Sequence, residues 1–184
     1  MTTSELITSI EEYKETHQND AQVSDEVISW IEKHKSFAFV KDNLEWHITG
    51  SLLITNLEKT KALLMLHKKL WIWVQFWWHC DGEVDVKNVA IREFHEESGI
   101  SLEPFVFHGI FNIDIHDIPL DKKGTPPHKH MDILYLWMIP EDTPFSRQES
   151  EVDDIRWFDI EWIESYITER RMLSMLHKIY TLWR

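Results

Sequence analysis

Residues Asp85 to Gly99, DVKNVAIREFHEESG, spell a helix with both ends marked. Asp85 can cap its first turn and Gly99 can end it. At roughly 100° per residue, with Val86 as zero, Val89, Ala90 and Phe94 fall near 300°, 40° and 80°, one apolar side. Glu96, Glu93 and Glu97 fall at roughly 280°, 340° and 20°, on that same side. His95, Asn88, Arg92 and Lys87 take the other side. Like charges at these spacings repel by about a few tenths of a kcal/mol per pair in a solvated helix. In a partly desolvated place each uncompensated carboxylate costs several kcal/mol, or takes up a proton. Divalent cations resolve the conflict, because hard ions such as Mg²⁺ or Mn²⁺ prefer oxygen ligands. Cations held beside a core suit a diphosphate: they neutralise its oxygens, polarise phosphorus and lower the pKa of a bound water.

The segments around this helix alternate in character. Residues 4–17 and 24–35 read as two helices, with Ser24 as N-cap of the second and Val27, Ile28 and Ile31 as its apolar stripe. HITGSLLITN and KALLMLHKK read as a hairpin with a polar turn around Asn56 to Thr60. LWIWVQFWW, Leu70 to Trp78, reads as a third strand, with Trp71 and Trp73 packing in the sheet. FVFHGIFNIDIHDI, HMDILYLWMI and DIRWFDI read as further strands, and IEWIESYITERRMLSMLHKIYTLWR as one closing helix. Strands around an internal helix, with a second helix at the end, predict an α/β fold with a mixed sheet between helices. The expected division is an N-terminal helical extension, 1–36, and a main domain, 37–184.

With 184 residues, one domain with a real core is expected. The 32 acidic against 19 basic residues give a formal charge of −13, which argues against nucleic-acid binding through a basic surface. Small phosphate ligands held through metal ions remain open. A single cysteine, Cys80, excludes an internal disulfide framework and a cysteine zinc motif. MTTSELITSIEEYKE has no basic n-region and no long apolar run, and LWIWVQFWW is too short to span a bilayer. A cytoplasmic protein that does not engage membranes is expected.

REFHEESGI, Arg92 to Ile100, resembles the second half of the Nudix box, with Phe94 at its first aliphatic position. The flanking pattern over about residues 37–184 is similar to a Nudix domain too. The resemblance implies an α/β/α sandwich with an N-terminal helical extension. It implies hydrolysis of a diphosphate linkage in a nucleoside diphosphate derivative with Mg²⁺ or Mn²⁺, on a small-molecule substrate, with a homodimer as an open expectation. By the same resemblance Glu96 and Glu97 are metal ligands, Glu93 is a metal ligand or the water-activating base, and Arg92 orients the acids. The first half of the box departs from the family. Trp78 stands at its opening glycine, Val84 at its first glutamate, and Trp77 at the preceding glycine, whose carbonyl helps bind metal. Glu83 and Asp85 flank the missing glutamate.

Glu149 and Glu151 occupy a region from which family members supply a further ligand or a base. His79, His128 and His130 fall near the expected site. On strands, His130 and Asp132 share a face, as do Asp114 and His116, so pairing of those strands would cluster all four. They are ordinary polar strand positions, phosphate contacts or a second metal site. Trp78, His79 and His130 are the expected substrate contacts. Cys80 lacks any activating triad readable from spacing. Two other readings stay open: a Nudix-fold binding or regulatory protein without turnover, and an isoprenoid-diphosphate isomerase.

Overall fold

The computed structural model describes residues 1–68, 71–120, 124–146 and 152–182. Its helices are α1 (Thr3–Thr16), α2 (Ala21–His34), α3 (Val86–Ser98) and α4 (Arg170–Leu182). Its strands are β1 (Trp46–Asn56), β2 (Lys61–His67), β3 (Ile72–Val74), β4 (Phe76–His79), β5 (Val106–Ile118), β6 (His128–Ile139) and β7 (Val152–Asp159). The strands pair in the order β3-β2-β1-β6-β5, with β4 beside β1 and β7 beside β2. This is the mixed sheet with flanking helices that the sequence suggested. No helix among the described residues is long and apolar enough to cross a membrane.

The chain forms two compact units. The first comprises Met1–Ser51, Trp77–Ala90 and Ile110–Tyr135. Helix α1 opens with a capping box: the Glu5 N–H donates to Thr2 Oγ1 at 3.3 Å, and the Thr2 N–H to Glu5 Oε2 at 2.6 Å. Helix α2 buries Val27, Ile28 and Ile31 as expected. It begins at Ala21, so Ser24 is not its cap. The Ser24 hydroxyl instead donates to the Asp20 carbonyl one turn back, at 2.9 Å, which lets a serine sit buried inside a helix. Trp30 of α2 stacks on Trp46 with ring centroids 5.2 Å apart.

Gly50 of β1 permits a close approach of strand to helix. A Cβ there would lie 2.9 Å from Val86 Cγ1 and 3.0 Å from the Val86 carbonyl oxygen, at the start of α3. Neither is the far end of a flexible side chain, so added volume must push strand and helix apart. Gly50→Ala is expected to cost about 1–3 kcal/mol, the usual cost of overpacking. A urea titration with an unchanged midpoint would show that this contact yields freely.

The second unit comprises Leu52–Phe76, Ile91–Gly109 and Leu136–Arg184. Asn56 makes the β1–β2 turn: its carboxamide oxygen accepts the N–H groups of Thr60 and Lys61, both at 2.9 Å. Strand β2 then pairs antiparallel with both β3 and β7. LWIWVQFWW is two strands, not one. The run breaks at Gln75, where β3 stays with β2 and the chain passes to β4 beside β1. Trp73 packs edge-on against Phe158 at 4.7 Å, as sheet packing predicts. Trp71 does not: it is exposed in the turn before β3, with φ of 55°. The closing helix is also divided. A 3₁₀ segment spans Ile160–Ser165, and α4 starts afresh at Arg170 because the Glu169 carboxylate accepts the N–H groups of Arg171 and Met172 at 3.1 and 2.7 Å.

Candidate active site

Helix α3 is built as its sequence dictates. Asp85 caps it by accepting the Asn88 N–H at 3.0 Å, and it also pairs with the Met1 amino group. Glu83, the other acid beside Val84, lies 3.4 Å from the Asn88 amide nitrogen. At the far end Gly99 has φ of 71° and donates its N–H to the His95 carbonyl at 2.8 Å. A side chain there would be strained, and its Cβ would lie 2.6 Å from Ser146 Oγ.

The three glutamates follow the helical-wheel angles only in part. Glu97, nearest the centre of the apolar side, is 5% exposed, and Glu93 is half-buried. Glu96, at the edge of that side, is exposed. Arg92 reaches sideways to Glu93, with Nη2 to Oε1 at 3.2 Å. This donor set suits a hard divalent ion: three carboxylates graded from buried to open and no competing sulfur. Glu149 and Glu151 lie outside the described residues.

A second polar group is assembled from strands. On β1, His47, Thr49 and Ser51 share one face, opposite the Ile48–Gly50–Leu52 face. All are buried. The Thr49 and Ser51 hydroxyls both donate to Asp132 Oδ1 of β6, at 2.8 and 2.7 Å. His130, two residues before Asp132, lies on the same face. Its ring centroid is 4.6 Å from that of His47, 5.2 Å from His79 of β4 and 5.5 Å from His116 of β5. Strands β5 and β6 are neighbours, and His116 Nδ1 sits 3.0 Å from Asp114 Oδ2, so three of the four residues expected to cluster meet, while Asp132 is bonded to the β1 hydroxyls. His47 was not singled out from sequence. The signal was present in polar 47, 49 and 51 alternating with apolar or small neighbours on a strand buried on both faces.

Pleating also sorts the two tryptophans of β4. The Trp77 ring approaches His79 at 5.4 Å and His130 at 5.7 Å. Trp78 points the other way and is buried. The indole beside the histidines is therefore Trp77's. Next to them, Asp81 and Gly82 both have positive φ, 49° and 92°, and the Glu83 N–H donates to the Cys80 carbonyl at 2.9 Å. That is the pattern of a type I′ turn, which Asp-Gly favours. Cys80 itself is buried, and burial raises its thiol pKa far above the usual range. It is no activated nucleophile.

Burial also lowers the histidines. His47 is below its usual value, His79 falls to about 4, and His130, with neighbouring imidazoles adding to desolvation, falls to about 2. All three are therefore neutral at pH 7. Unfolding returns them to a value near 6.5, so below that pH the unfolded chain binds more protons than the native one. Stability of the metal-free protein should thus fall as pH drops from about 7 to about 5.5. Urea midpoints taken with chelator should drop less in His130→Asn than in the parent. Equal drops would deny the histidines this role.

Comparison with known proteins agrees with this fold. The NUDIX domain family model matches residues 51–178. A curated relative from Lactococcus lactis subsp. cremoris, named a probable DHNTP pyrophosphohydrolase, is 32% identical over 89 residues. That alignment covers 46% of this chain and 49% of the relative, so the chain spans about half the length of the curated relative it matches. Among solved structures, an Ap4A hydrolase from C. elegans superposes with a TM-score of 0.58 at 21% identity, covering 73% of this chain and 96% of that one. A MutT protein from Methanosarcina mazei Go1 gives 0.60 at 17% identity, covering 76% and 96%. Both share the fold. With the family model matched across most of the chain and REFHEESGI carried on a capped helix, the chain belongs to the Nudix family.

Proposed function

We propose that this protein is a Nudix pyrophosphohydrolase, cleaving a diphosphate linkage in a nucleoside diphosphate derivative with Mg²⁺ or Mn²⁺. The observation that carries this reading is the buried carboxylate of Glu97 on the core side of α3, with Glu93 and Glu96 beside it. Carboxylate oxygens gathered on one helix are the donor type that a hard divalent ion prefers. Glu93, Glu96 and Glu97 would hold it. When bound, the ion supplies charge neutralisation at the diphosphate and a more acidic water. The chain's own part is orientation and proton transfer. Arg92 fixes the Glu93 carboxylate, and either Glu93 or Glu151 takes the proton of the attacking water. His79 and His130, being neutral, offer hydrogen bonds to a substrate but no charge. Residues 37–184 form the catalytic domain in this reading, with 1–36 as its helical extension, acting in the cytoplasm.

The test is a screen of nucleoside diphosphate derivatives and isoprenoid diphosphates with each metal, scored by released phosphate or phosphomonoester. DHNTP and Ap4A belong in it, as compounds in the names of similar proteins. Chelator-sensitive release from at least one nucleotide is expected. Binding of Mn²⁺ with no release from any compound would favour a regulatory protein without turnover. Trp77, Trp78 and Val84, at the family's two glycine positions and one glutamate position, speak for that second reading.

A further inference from the structure

We propose that His47, His79 and His130 form a binding site for a first-row transition metal ion of the zinc type, chemically distinct from the glutamate set of α3. One ligand nitrogen from each of the three lies within 4.8 Å of the others. A tetrahedral zinc with Zn–N bonds of 2.0–2.1 Å holds its nitrogens about 3.3 Å apart. A bound ion would have to draw the nitrogens together by up to about 1.5 Å.

Two features show that the rings are presented as ligands. His47 Nδ1 lies 3.0 Å from the Asn43 carbonyl oxygen, which can only accept. In the neutral ring the proton is therefore on Nδ1, and Nε2 carries a bare lone pair. That Nε2 is fully buried and has no hydrogen-bond partner among the described residues, in a side chain that is 1% exposed. A buried acceptor without a donor is costly unless something positive meets it. A carbonyl behind a metal-binding histidine is also the usual way its tautomer and ring angle are fixed.

His128 repeats the arrangement. Its Nδ1 donates to the Pro126 carbonyl at 2.8 Å, so its Nε2 is also a lone pair, 3.3 Å from His130 Nε2. That contact is a hydrogen bond between the two rings, and His128 stands outside the three-histidine group. The donors are all imidazole, which suits Zn²⁺, Co²⁺, Ni²⁺ or Cu²⁺ and not Mg²⁺. The inference stands whether or not the chain turns over a diphosphate.

The experiment is calorimetric titration of the metal-stripped full chain with Zn²⁺, for the parent, His47→Asn, His79→Asn and Glu97→Gln. One equivalent should bind the parent. Each histidine variant should lose more than the roughly 10–100-fold that removal of an outer partner costs a metal site. Glu97→Gln should keep Zn²⁺ affinity. Undiminished Zn²⁺ binding in both histidine variants, or loss of it in Glu97→Gln, would overturn the site. If the variants fail to fold, the visible spectrum of the Co²⁺-loaded parent decides. Intense absorption of a four-coordinate nitrogen site supports the proposal, and the weak bands of octahedral Co²⁺ refute it.

Discussion

Glu97→Gln should lower turnover by at least roughly 10²–10³-fold, the scale of losing one preorganised electrostatic group in a water-excluded site. The amide keeps the size and packing of the carboxylate and removes its charge. Because the native carboxylate is buried, that removal also relieves a desolvation cost. The variant should therefore melt at the parent's temperature or slightly above it while binding Mn²⁺ more weakly. This combination separates a ligand from a structural residue, which would lose stability and activity together. Mn²⁺ calorimetry that gives the parent's affinity in Glu97→Gln would remove the central claim about α3.

The second large effect concerns the base. Removing a positioned general base costs roughly 10²–10⁴-fold in rate. Glu93 and Glu151 are the two candidates, and paired glutamine variants distinguish them. If Glu151 is the base, Glu151→Gln should lose turnover and keep Mn²⁺ affinity. Its rate profile should also lose the acidic limb that reports deprotonation of the base. If Glu149→Gln and Glu151→Gln both keep full activity, neither is the source and the role passes to Glu93. Glu93→Gln should then lower rate and metal affinity together, since Arg92 already holds that carboxylate in the helix surface.

What could be read from sequence was what is decided locally. Asp85, the apolar stripe and Gly99 fix α3 within fifteen residues, and the helix came out between those caps. Helical angle placed all three glutamates on the apolar side, and Glu97 is the buried one. The angle could not show that Glu96 reaches solvent, because exposure at the edge of a stripe depends on what packs beside it. Errors arose where non-local pairing overrode a local pattern. Nine apolar residues around Gln75 read as one strand, and the chain divides them between two partners. Residues 160–184 have helical periodicity throughout, yet Glu169 restarts the helix. The histidine cluster needed β1, β4, β5 and β6 brought together. His79 and His130 were visible as candidates; His47, in a different strand segment, gained meaning only from that assembly.

The single thiol makes this chain its own gauge of opening. Cys80 sits in the shelter of β4's end and the Asp81–Gly82 turn, buried and strongly disfavoured as a thiolate. An alkylating reagent can reach it only when that segment comes apart. Under native conditions the labelling rate should equal the rate in unfolded chain multiplied by the fraction of time the segment is open. Zn²⁺ clasping His79, one residue away, should slow labelling in proportion to its hold on the closed form. One mass-spectrometric time course, with no engineered probe, would thus report local breathing at this corner of the molecule.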